Sequence, residues 1–124
     1  MMDAAFVGVV LWTFFLVQDR IQLARRVNQS KDVFLVCRYY ARDHGGQMPS
    51  SLSQLSPWDR EQKHDGGVSA VVERELDRFE LVTTDLTDRS NPSLILLRER
   101  YPDSRGRRVV CYADGSSQVI RENR

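Results

Sequence analysis

Net charge is in short supply in this sequence. Eighteen Lys and Arg stand against seventeen Asp and Glu, leaving +1. A nucleic-acid partner is therefore not expected, since that needs a clustered basic surface. The short basic pieces Arg25-Arg26 and Arg105-Gly-Arg-Arg108 are read as solvated surface, because acidic residues are interspersed through the rest. Cysteine is scarce too: Cys37 and Cys111 lie far apart and fit no metal spacing. Both are expected to be small buried hydrophobes. A disulfide between them, which would need an oxidising compartment, is the alternative. The two histidines, His44 and His64, sit in Asp- and Gly-containing loops without a nucleophile or an orienting partner in the local sequence. There is no Gly-rich phosphate loop, no Gly-x-Ser-x-Gly and no His-Glu-x-x-His. No catalytic residue, cofactor or metal ligand is assigned, and an enzyme built on His44 or His64 is set behind a structural or interaction role. Ser50, Ser51 and Ser53 suit a turn and cap. Asp85, Asp88 and Asn91 could offer oxygens to calcium, but they lack the spacing of a calcium loop and suit local turn bonding better.

What is present begins with grease. The run Ala4–Val17 contains Phe6, Val7, Val9, Val10, Leu11, Trp12, Phe14, Phe15, Leu16 and Val17, which as a helix would be apolar on every side. A domain of 124 residues can hardly surround such an element. The run spans about 21 Å at 1.5 Å per residue, short of a ~30 Å hydrocarbon core. It is read as a tilted or thinned-membrane anchor, or as a helix that packs among its own copies. Phe6, Val7, Val10, Leu11, Phe14 and Val17 are the expected membrane and assembly residues. A cleaved signal peptide fits poorly, since no basic residue precedes the run and no small-residue cleavage site follows it.

From Gln18 the pattern turns amphipathic. Leu23, Val27, Ser30, Phe34, Cys37 and Ala41 follow a 4-3-4-3-4 spacing, widened by Val33, Val36 and Tyr40. No proline or glycine falls between Asp19 and His44, so one helix of about 40 residues is predicted, capped by Gly45-Gly46 and stopped by Pro49. Ser50–Leu55 is a short amphipathic turn, residues 56–67 an exposed loop, and Val68–Asp77 a further short helix. The final third reads as strands at 79–84, 93–99, 107–113 and 116–121, with Asp114-Gly115 as the strongest hairpin signal. The fold class is α+β: a long N-terminal helix packs its second half on an antiparallel sheet of three or four strands. Val27, Phe34, Cys37, Tyr40 and Ala41 are the expected helix–sheet packing residues. Residues 1–19 form the hydrophobic segment, and 20–124 the head.

Two local motifs, Tyr40-Ala-Arg-Asp-His-Gly-Gly-Gln-Met-Pro49 running on to Leu55, and Tyr112-Ala-Asp-Gly-Ser116, resemble those of the pilin-like proteins, specifically the pseudopilins of type II secretion. The matching positions of the first motif are Tyr40, Asp43, Gly46, Pro49 and Leu55. The Tyr112–Ser116 motif is similar to the closing hairpin of many prepilin-type sequences. The resemblance implies a single-pass subunit of the bacterial inner membrane with its head on the periplasmic side. Its implied partners are the membrane and other copies or related subunits, met through the N-terminal helix. At the processing motif the chain departs from the family, since Gly8 is followed by Val9 and Thr13 holds the place of the usual Glu. Arg20, Arg25 and Arg26 beyond the apolar run favour a cytoplasmic head by the positive-inside tendency; the resemblance is given precedence. A membrane-tethered adaptor that never polymerises, specific through its 56–67 and 84–91 loops, is the alternative function.

Overall fold

One helix, α1 (Ala4–Asp43), takes 40 residues of the chain in a single unbroken run. The structure is a computed structural model that describes residues 4–62, 66–84, 86–87 and 89–122. Side chains of residues 4–6, 62, 66 and 67 lie outside that description, as do His64, Asp85 and Asp88, the histidine and the two aspartates weighed above for catalysis and calcium. The helix ends where the sequence predicts. Gly45 and Gly46 take φ values of 65° and 91°, and the Gly46 N–H returns 2.7 Å to the Ala41 carbonyl, closing the last turn. The chain then runs through buried Met48 and Pro49, and the Met48 N–H donates to the Leu86 carbonyl at 2.9 Å.

The Ser50–Leu55 turn is a short 3-10 helix (Leu52–Gln54), with Ser51 Oγ accepting the Ser53 N–H at its start. Residues 56–67 do not form the expected exposed loop. They open with a helix, α2 (Leu55–Gln62), and the next helix, α3 (Gly66–Arg74), begins before they end. Pro57 falls in the first turn of α2, where a missing N–H costs nothing. Leu55 and Trp58, three residues apart, bury themselves side by side in the core. Asp59 is buried as well and accepts from Ser69 Oγ of α3 at 3.1 Å. A second 3-10 turn, Leu76–Arg78, leads into the sheet.

Four strands follow: β1 (Phe79–Leu81), β2 (Ile95–Glu99), β3 (Arg107–Tyr112) and β4 (Ser117–Arg121). They form one antiparallel meander in sequence order, β1-β2-β3-β4. β1 is shorter than the alternation suggests, although the Val82 N–H adds one more bond to the Leu96 carbonyl. The register between β2 and β3 shifts between Ile95 and Leu97. Leu96 and Leu97, adjacent in sequence, are both fully buried at that irregularity. Asp114 and Gly115 close the β3–β4 hairpin; Asp114 Oδ1 accepts from both the N–H and the hydroxyl of Ser116. Gly115 has φ of 89°, and a Cβ there would stand 2.7 Å from the Phe34 ring. Glycine is thus required by the turn and by the helix above it.

The core lies between the second half of α1, the sheet and the two short helices. Val33, Phe34, Val36, Cys37 and Ala41 meet Leu55, Trp58, Val72, Leu76, Phe79, Leu96, Leu97 and Cys111. Both cysteines are buried free thiols. Burial pushes the Cys37 thiol up to about 12 and the Cys111 thiol to about 11.

Candidate membrane and assembly surface

The first half of α1 has no cover among the described residues. Val7, Val9, Val10, Leu11, Trp12, Phe14, Phe15, Leu16, Val17 and Ile21 are all exposed, with Trp12 and Phe15 each about two-thirds open. Phe14 and Phe15 touch edge to face, their centroids 6.2 Å apart. Thr13, the polar side chain within the run, turns its hydroxyl back onto the Val9 carbonyl at 2.9 Å. The helix bonds its own backbone and the Thr13 hydroxyl with it, so an apolar medium meets few polar groups here, the exposed Trp12 indole N–H among them. By length and composition α1 can cross a membrane, and none of its most apolar window is buried. Of the expected contact residues, Val7, Val10, Leu11, Phe14 and Val17 lie on this exposed surface; the Phe6 side chain is outside the described residues.

Just past the apolar run, α1 is latched to the head by charge. Asp19 accepts from Arg107 Nη1 and Nη2 at 2.9 and 2.7 Å. Two turns further on, Arg26 grips both oxygens of Glu99 at 2.9 and 2.6 Å and Asp103 Oδ2 at 2.8 Å. Arg107 Nε also reaches Asp103 Oδ2, at 2.9 Å, which joins the two halves of the network. Asp103 in addition folds the β2–β3 turn, its Oδ1 accepting the N–H groups of Arg105 and Arg107. Burial works to raise the Asp103 carboxyl, but the bonds from Arg26, from these two N–H groups and from the Arg107 side chain outweigh it and hold the carboxyl far below the usual range. The Arg107 hydrogen bonds likewise lower Asp19.

Arg26, Arg107 and Arg108 are therefore not solvated surface, as their sequence context suggested. The first two hold the network, and Arg108 pairs with Glu122 at 2.8 Å. The available signal was positional. Counting back from Ser30 along the buried stripe lands on Arg26, Leu23 and Asp19, which places a cation and an anion on the face that meets the sheet.

Farther up, the stripe becomes hydrophobic. Phe34, Cys37 and Ala41 are buried, while Val27 and Tyr40 are half-buried. Ser30, fully buried, satisfies its hydroxyl on the Val27 carbonyl and on Ser117 Oγ of β4. Tyr40 turns away from the sheet towards α2: its ring stacks on His44 at 3.8 Å between centroids and meets Trp58 edge to face at 5.6 Å. Trp58 Nε1 donates to Asp43 at 3.0 Å. These residues line a shallow groove of about 410 Å³ with Gln54, Pro57 and Glu61. His44 is exposed and its Nδ1 lies 2.7 Å from the Tyr40 carbonyl, a helix-end bond without a nucleophile. In the 84–91 loop, the Asn91 side chain accepts the Ser93 N–H. Among the described residues, no group of three or more His, Cys, Asp or Glu could hold a metal ion.

Compared with family models, with curated proteins and with solved structures, the chain matches none of them. A long N-terminal helix packed on a small antiparallel sheet, apolar and uncovered at its foot, is what the geometry itself supplies.

Proposed function

We propose that the chain is a non-enzymatic, pilin-like subunit, anchored in a membrane by the first half of α1 and assembling with further copies or related subunits through it. The observation that carries this reading is the contrast along one helix. The stripe from Ser30 to Ala41 is sealed by the chain's own sheet and short helices, whereas residues 7–17 are apolar on every side and sealed by none of the described residues. In water such a surface favours removal by roughly 25 cal/mol for each Å² of apolar area. A bilayer, or a bundle of like helices, supplies that removal. The order of elements and the closing Asp114-Gly115 hairpin support a pilin-like build, and with it a place in a secretion or pilus-type filament of the bacterial inner membrane, head on the periplasmic side.

The test is expression in a bacterium, followed by membrane fractionation and short-range cross-linking from cysteines introduced at Val7, Leu11 and Phe14. Membrane retention with cross-linked ladders supports the subunit reading. A soluble chain, or a membrane-bound one that stays monomeric at every position, sinks it. The membrane-bound monomer would favour a tethered adaptor, for which the groove beside Tyr40, His44 and Trp58 is the candidate contact. Because Cys37 and Cys111 are buried, an exposed reporter such as Ser53→Cys is needed to find the side of the head with an impermeant alkylating reagent.

A further inference from the structure

The β2–β3 turn reaches down the helix to the end of the apolar run. Arg105 Nη1 stands 3.4 Å from Asp19 Oδ2, and Arg107 binds the same carboxylate. Asp19 is two residues beyond Val17, about 3 Å along the axis, and Arg20 about 4.5 Å. The polar headgroup layer of a bilayer is roughly 5–7 Å deep on each side. If Val17 marks the hydrocarbon boundary, Asp19, Arg20 and the tip of the β2–β3 turn stand within that layer.

The charges on this rim are unevenly committed. Asp19, Glu99, Asp103 and Glu122 are each held in ion pairs with Arg26, Arg107 or Arg108. Arg20 and Arg121 are exposed and have no carboxylate partner among the described residues. Arg121 is placed here by its pairing opposite Arg107 in the β3–β4 ladder. The Arg105 side chain is 54% exposed and keeps only its long contact to Asp19. The acids are thus neutralised inward, and the free positive charge faces outward around the foot of the head.

We infer that Arg20, Arg105 and Arg121 form a basic collar that docks the head onto anionic phospholipid headgroups, so that the head rests on the bilayer and does not swing freely above it. This inference rests on the membrane reading. Its chemistry is guanidinium to lipid phosphate, a pairing that arginine makes with two parallel N–H bonds. Juxtamembrane basic residues gain attraction from anionic lipid only within about a Debye length; Arg20, about 4.5 Å beyond Val17, lies inside it, and Arg105 reaches the neighbouring Asp19.

The test uses the full chain in nanodiscs, with one nitroxide placed on Ser104→Cys at the turn, on Gly8→Cys in the apolar run, or on Ser53→Cys near α2. The buried native thiols stay unlabelled. In discs containing phosphatidylglycerol, the label at 104 should show headgroup depth, with reduced collisions with a water-soluble relaxant. It should shift outward in pure phosphatidylcholine, at about 1 M salt, where screening shortens to ~3 Å, and in the Arg20→Gln/Arg105→Gln/Arg121→Gln variant. The label at 8 should stay in hydrocarbon throughout. A label at 104 as water-exposed as one at 53 in both lipids, with 8 still buried, would overturn the collar and leave the membrane reading standing. Water exposure at 8 would overturn both.

Discussion

The two halves of α1 share a helix and differ in almost everything that surrounds it. Residues 7–17 are apolar and bare; residues 30–41 are amphipathic and covered. The lower half satisfies most of its polar groups without a packing partner, because the helix bonds its own backbone and the Thr13 hydroxyl turns back onto the Val9 carbonyl. The upper half is complete only in company: the Ser30 hydroxyl meets β4, Phe34 sits over Gly115, and Cys37 is enclosed. Uniform grease faces outward, and patterned grease turns to its own chain.

Four experiments would break or sharpen that contrast. The largest effect belongs to the covered side. Phe79→Ala empties a fully buried ring site and should cost the head about 3–5 kcal/mol; chemical denaturation reads the loss, while membrane retention stays unchanged. The mirror experiment is Leu11→Arg, which should disfavour insertion by about 2.5–3.5 kcal/mol and leave the head's unfolding midpoint where it was. A head that melted with Leu11→Arg would show that the two halves are coupled.

The junction gives smaller effects. Arg26→Ala leaves Glu99 and Asp103 without their guanidinium and should destabilise the head by about 1–3 kcal/mol. Its exposed neighbour in Arg25→Ala should stay within about 0.5 kcal/mol, so equal effects would remove the latch from the account. Acid gives the mildest test. Asp19 and Asp103 titrate lower in the folded state than in the unfolded one, so their stabilisation is fully present above the ordinary carboxylate range and is lost as pH falls through the folded values. Melting temperature should show no loss from these groups between pH 7 and pH 5 and should fall below about pH 4. Asp103→Asn should flatten part of that fall.

Much of this fold is legible in the sequence. The long helix follows from a stretch free of proline and glycine with a 4-3-4 stripe. Its end follows from Gly45-Gly46, and the sheet from short apolar runs joined by Asp114-Gly115 and the turn before Arg107. Residues 56–67 mislead because their polarity suits a loop, while Leu55 and Trp58, the two side chains that make α2 worthwhile, gain their value only against α1 and α3. The arginine network is hidden for a similar reason. Arg26 and Asp103 are 77 residues apart, and local sequence cannot show which cations will meet which anions. The apolar surface is the most legible part of the candidate site, since it depends on composition and not on pairing. The groove at Tyr40 is not legible, because it needs Trp58 to turn inward.

The unbroken run of α1 also has a mechanical meaning. The helix is about 60 Å long and runs without a break from Ala4 to Asp43. Asp19 and Arg26 clamp it to the sheet near its midpoint, so foot and head behave as one lever, with its fulcrum at the membrane surface under the proposed anchoring. A tilt of ~10° imposed at the foot would carry the far end, about 36 Å beyond Asp19, through ~6 Å. Neighbouring copies pressed against the lower half could therefore steer the position of the Tyr40–Trp58 end without touching it.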